Sequence, residues 1–208
     1  YYSLRNKSKK CRKINSKYEA FALASFALSP FVIIEVLVDS HNDMPMMFLA
    51  ILSLYFALDK KWLFSILAVV ASALTKQASV FMIAPILFFA LLSYKKINFS
   101  YENLIKLSII SMITALIYVV SKIEIQPWYY LWIFPLISLL KPNKYVFLTS
   151  TGFSLGLLLR YAPFLYQGDW NGIVPFVELY LTVISTITFF LIALSFDIYK
   201  KLFVTKKS

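Results

Sequence analysis

The sequence predicts an all-α fold, a polytopic bundle of about eight transmembrane helices with both termini in the cytoplasm. Three observations predict it: the composition, the spacing of the apolar runs, and the placement of charge. Hydrophobic residues make up 60% and aromatic residues 18% of the 208, and mean hydropathy is +0.73. A soluble domain sits nearer half apolar, so the chain belongs in a membrane. It holds only four glycines and one cysteine. Cys11 lies in a basic segment, so no disulfide framework forms and no redox compartment is indicated.

A basic segment, 1–17, comes first, and apolar runs follow at 18–38, 44–58, 62–75, 78–93, 104–121, 125–140, 145–166 and 173–198. A helix crosses about 30 Å of hydrocarbon with about 20 residues, at about 1.5 Å per residue. The runs 44–58, 62–75 and 78–93 are shorter and borrow length from polar flanks. A basic tail, 199–208, closes the chain. The first apolar run is too long for a cleavable signal and lacks a small-residue cleavage site. Tyr-Tyr stands first in place of Met, and the chain is read as a C-terminal fragment or a processed product.

Charge sets the orientation. With the basic segment inside and eight crossings, the inner loops and tails collect 18 of the 21 Lys and Arg, leaving Lys76, Lys122 and Arg160 outside. That satisfies the positive-inside rule, and a shift by one span would reverse it. The net charge of +11 is therefore a topology signal and a contact for anionic membrane lipid, with no nucleic-acid partner implied. Glu35, Asp39, Asp43, Glu124, Asp169 and Glu178 fall on or near the outer face, and chemistry is expected there.

The stretch "VLVDSHNDMPMMFLAIL", residues 36–52, carries the densest polar group. Glu35 and Asp39 are four apart, which puts them on one helix face. An ionisable group inside a span is costly and turns to a bundle interior or wet cavity, which makes Glu35 a functional candidate. Ser40, Asn42 and Asp43 equally suit a turn and helix N-cap, with Pro45 in the first helical turn. His41 with Asp39 and Asp43 offers three candidate metal ligands in one loop, too few to specify a metal without a second cluster. Lys76, in "ALTKQAS", either snorkels to the interface or holds an anion. In "QPWYYLWIFPL", Trp128, Tyr129, Tyr130 and Trp132 form an interfacial aromatic belt or a platform for a sugar or isoprenoid. Arg160 breaks the charge rule and has the fork shape that suits phosphate. Asp169 and Gly172 read as turn residues. Gly-rich phosphate loops, HExxH and CxxC pairs do not occur in the sequence.

Residues 29–140 resemble the GT-C superfamily of integral membrane glycosyltransferases, and most of all its prokaryotic polyprenol-phosphate-mannose-dependent mannosyltransferases. The resemblance rests on Pro30, Glu35, His41-Asn42-Asp43, Thr75-Lys76, Pro85 and the Gln126-Pro127-Trp128-Tyr129 segment, in that order. Gln126 stands where histidine is common in the family. The resemblance implies transfer of a hexose, by expectation mannose, at the extracytoplasmic face from a polyprenyl-phosphate sugar to a glycan or lipid-linked acceptor. It makes Asp43 the first candidate for general base or acceptor positioning, with Asp39 and Glu35 second. Lys76 and Arg160 would hold phosphate, and His41, Asn42, Gln126, Trp128 and Tyr129 would line the substrate site. It fixes no cofactor and leaves a divalent cation open. Family members are longer and usually place a catalytic acid in their first external loop, so the principal base could lie upstream. The rival readings are a lipid-carrier flippase or transporter, and a non-catalytic half of a split transferase.

Overall fold

The computed structural model describes residues 16–123, 125–141, 143–168 and 174–199, with the backbone alone for 16–20 and 22. Most of both basic ends, together with Glu124, Asp169 and Gly172, lies outside the described residues. The described residues are largely helical and form no strand.

Helix α1 (Ser16–Ala27) stops before Pro30. Ser29 is extended, at φ −62° and ψ 127°, because a following proline disfavours the helical conformation. Pro30 then opens α2 (Pro30–Val32), where its missing N–H goes unneeded, and the chain continues as a π-helical stretch, Ile33–Val38. The expected span 18–38 is thus a broken helix whose wider second half ends in the polar loop.

Helices α3 (Asp43–Leu58) and α4 (Trp62–Thr75) form an antiparallel hairpin. Small residues bring them together: Ser72 Oγ donates to the Met46 carbonyl and Ser65 Oγ to the Ser53 carbonyl, both at 2.8 Å. Close approach through small residues and hydroxyl bonds is how helices associate where lipid removes the hydrophobic drive. The turn is a Schellman motif, with Lys61 N–H to the Phe56 carbonyl and Lys60 N–H to that of Ala57. Lys60 takes the left-handed position, φ 60°, where glycine is usual. A second such turn, with Lys96 at φ 56°, ends α5 (Ile83–Tyr94), which a 3-10 stretch, Gln77–Met82, precedes. Lysine costs about 1 kcal/mol there, but its charge suits a helix C-terminus.

Ser100 Oγ caps α6 (Tyr101–Val120) by accepting the Asn103 N–H. Beyond it the expected span 125–140 does not form one helix. It divides into a 3-10 stretch, Pro127–Trp132, and the five-residue α7 (Phe134–Ser138). Pro127 and Pro135 each lack an amide donor, which keeps both pieces short. Leu131, Trp132 and Leu136 are fully buried, so this segment is the centre of the packing.

Asn143 caps α8 (Lys144–Leu159); α9 (Tyr161–Gln167) ends at Gly168, φ 82°; α10 is Val174–Tyr199. Helices α8 and α10 pack through Gly152 and Gly156. A Cβ on Gly156 would lie 2.7 Å from Thr182 Cα, and one on Gly152 2.6 Å from Phe189 Cβ. Ser185 Oγ completes the seam by donating to the Gly152 carbonyl at 2.7 Å.

Three described stretches are long and apolar enough to cross a membrane, Gln77–Tyr94, Tyr101–Val120 and Val174–Tyr199, and α3 and α4 are shorter apolar helices. Polar contacts gather at two opposite ends. One end joins Lys106 and Lys141 to Glu102, and Lys144 to Asp197. The other joins Lys76 to Asp43, Arg160 to Glu178 and His41 to Glu35.

Candidate functional site

The second end is built from three pieces of chain: the π-helical stretch and its loop, the ends of α3 and α4, and the 3-10 stretch 127–132. Asp43 opens α3, yet it makes no capping bond and neither does Asn42 before it. Capping therefore does not explain Asp43. Its carboxylate is fully buried and receives Lys76 Nζ on both oxygens at 2.8 Å. Trp132 Nε1 also donates to Asp43 Oδ1. Lys76 reaches it because α3 and α4 run antiparallel, so the start of one meets the end of the other. The ammonium stands 5.7 Å from the ring centres of both Tyr129 and Trp132. Three residues make one 3-10 turn, so Tyr129 and Trp132 share a face and both rings reach the pair.

Those aromatics do not form a belt. Tyr129, Tyr130 and Trp132 are 7%, 6% and 1% exposed, whereas a ring at the lipid interface must face outward. Tyr130 turns away from the acids, bonding Ser150 Oγ and stacking on Phe134. Trp128 is partly exposed and stacks on His41, with ring centres 4.2 Å apart and planes 24° apart. Gln126 takes the extended backbone required before Pro127 and makes no side-chain capping bond.

Glu35 is wholly buried although it carries a carboxylate. Tyr161 donates to its Oε1 at 3.2 Å, and His41 Nε2 stands 3.6 Å from its Oε2. One ligand atom from each of Glu35, Asp39 and His41 falls within 4.8 Å of the others. The π-helical turn achieves this: Asp39 N–H bonds the Ile34 carbonyl and His41 N–H that of Glu35, wrapping the loop back over the buried acid. The His41 grouping is therefore with Glu35 and Asp39. Asp43, which the loop spacing pairs with His41, faces Lys76 and Trp132.

Arg160 occupies the joint between α8 and α9 at 4% exposure, and its Nη2 donates to Glu178 Oε2 at 2.9 Å. It is engaged by a carboxylate of α10, and the next residue, Tyr161, reaches Glu35. Sequence reasoning places neither Tyr161 nor Glu178 in the site, and it leaves Trp132 between an interfacial belt and a sugar or isoprenoid platform. The three-residue spacing from Tyr129 was the signal for Trp132; nothing local marks Tyr161.

No curated protein and no solved structure matches the chain. Residues 11–93, less than half of the chain, match the model of a family described as alpha-(1->6)-mannopyranosyltransferase, N-terminal domain. Over that stretch, which holds Glu35, Asp39, His41, Asp43 and Lys76, the chain is similar to a mannosyltransferase domain.

Proposed function

We propose that the chain is part of a membrane mannosyltransferase of the GT-C type, reacting at the acidic end of its bundle. One observation carries this reading. The stretch similar to a mannosyltransferase domain contributes five polar side chains, and residues 126–132, outside that stretch, seat Trp128 and Trp132 directly on two of them. Trp132 donates its indole N–H to the buried Asp43 and Trp128 stacks on His41, so the two regions build one polar site.

In this reading the donor is a polyprenyl-phosphate mannose and the acceptor a glycan or lipid-linked glycan. The acceptor oxygen bonds to the sugar C1 as the bond from C1 to the phosphate oxygen breaks. Polyprenyl phosphate leaves with the electron pair, and the hydroxyl proton passes to a carboxylate. Both oxygens of Asp43 are engaged by Lys76, so we assign Asp43 to positioning and the exposed Asp39 to the proton. Lys76 has a third N–H beyond the two given to Asp43, and it faces the leaving phosphate. Trp128 offers its partly exposed ring to the sugar with Tyr129 packed edge-on behind it, and Asn42 and Gln126 hydrogen-bond the sugar. Arg160, tied to Glu178, holds the joint that presents Tyr161. The charge partition supports this end lying outside the cell, in a chain of about eight crossings with cytoplasmic termini.

Membranes holding the full-length protein are expected to mannosylate an acceptor from labelled polyprenyl-phosphate mannose. Asp39→Asn should slow transfer by about 10²-fold or more, the usual worth of a positioned general base. Wild-type turnover in Asp39→Asn removes the base assignment. Absence of product from any polyprenyl-phosphate hexose removes the transferase reading.

A further inference from the structure

We propose that Glu35, Asp39 and His41 form a binding site for one divalent cation. Two independent features point to it. The first is the ligand set: two carboxylates and an imidazole from one short stretch bring donor atoms within 4.8 Å of one another. Around a tetrahedral ion with bonds of about 2.1 Å, ligand atoms stand about 3.4 Å apart, so closing the set from 4.8 Å requires a movement of about 1.4 Å. Asp39 is the exposed member of the set, so its side chain is the arm with room to turn toward the ion.

The second feature is an orphaned atom. Glu35 Oε2 is buried and accepts no hydrogen bond, whereas Oε1 receives the Tyr161 hydroxyl. Buried carboxylate oxygens are rarely left without a donor, and each such atom asks for a partner. His41 Nε2, at 3.6 Å, is too distant to be a hydrogen-bond donor to it. An ion between the two atoms satisfies both. The surrounding groups hold the ligands in place: Tyr161 orients Glu35, and stacking on Trp128 fixes the plane of His41.

Two oxygens and one imidazole nitrogen suit Mn2+ or Zn2+ better than Ca2+. Three protein ligands leave positions on the ion open. On the transferase reading above, the donor phosphate takes them, and Asp39 gives the ion one oxygen and keeps the other for the acceptor proton.

The test uses purified full-length protein in detergent, without any sugar donor, titrated with Mn2+ while the free-ion EPR signal is followed. One Mn2+ per chain is expected, with quenching of tryptophan fluorescence that Trp128→Phe largely removes. Glu35→Gln and His41→Ala should each weaken binding by about tenfold or more, while Asp59→Asn, at the opposite end of α3, should leave it unchanged. If the wild-type chain takes up no Mn2+, or if both site variants bind it as tightly as wild type, the site is wrong. An ion bound by a chain that transfers no sugar sinks the transferase reading and leaves this site standing.

Discussion

Asp43 has no contact with water, and two cationic hydrogen bonds and an indole N–H replace that water. A buried pair of this kind contributes little net stability over an apolar substitute, but removing one partner leaves an uncompensated charge. Lys76→Ala and Asp43→Ala should therefore each destabilise the protein by about 3 kcal/mol. The double variant Asp43→Asn/Lys76→Met leaves no net charge, and the amide oxygen it introduces can still accept from Trp132. Its unfolding temperature in detergent should return close to wild type while transfer stays abolished. Recovery of transfer along with stability would make the pair purely structural. The sequence made Asp43 visible as a polar residue between apolar runs, and charge counting assigned it to the same membrane face as Lys76. It did not reveal that the two touch, because 33 residues separate them and only the antiparallel packing of α3 on α4 closes that gap. The partnership of Tyr161 with Glu35 spans 126 residues and was illegible for the same reason.

At the scale of elements, the apolar runs anticipated α3 to α6 and α10 well, since periodicity and length report a helix that buries one face. The segment 125–140 forms two short helical pieces where one helix was expected, because hydropathy reports burial and not the continuity of a helix. The two prolines were the local sign, and they divide it into short pieces that carry Tyr129 and Trp132 to the acids. The α8–α10 seam makes a sharper demand than any hydropathy profile shows. A Cβ at position 156 meets backbone of α10, which no side-chain rotation can relieve. Gly156→Ala should therefore cost about 1–3 kcal/mol, the range for forced overpacking. Gly168→Ala meets no neighbour but must hold φ 82°, a strain of about 1 kcal/mol. Thermal unfolding of the two variants checks the ranking, and an unaffected Gly156→Ala would mean that α8 and α10 lie farther apart. Loosening this seam also displaces Arg160 and Tyr161 at its end, so Gly156→Ala should lower activity although it touches no acid.

For the whole molecule, five ion-paired cations divide between two ends. Lys106, Lys141 and Lys144 pair at one end with Glu102 and Asp197, and Lys76 and Arg160 pair at the other with Asp43 and Glu178. The three-dimensional packing thus keeps together the residues that loop counting assigned to the same side. Which end faces the cytoplasm is a separate matter; the orientation we propose follows the positive-inside rule and keeps the lysine-rich end in. Cys11, the single cysteine, makes this measurable without other changes to the chain. A membrane-impermeant maleimide should label Cys11 only after the cells are permeabilised. In Cys11→Ser/Gly168→Cys, the new thiol follows α9, beside the acidic end, and should be labelled in intact cells. The reverse pattern would put the acidic end in the cytoplasm, where nucleotide sugars are available. A polyprenyl-phosphate donor would then lose its rationale, because its advantage is to carry an activated sugar to a compartment that nucleotide sugars do not reach. The identity of the donor therefore depends on the orientation, and the labelling experiment should precede any assay of transfer.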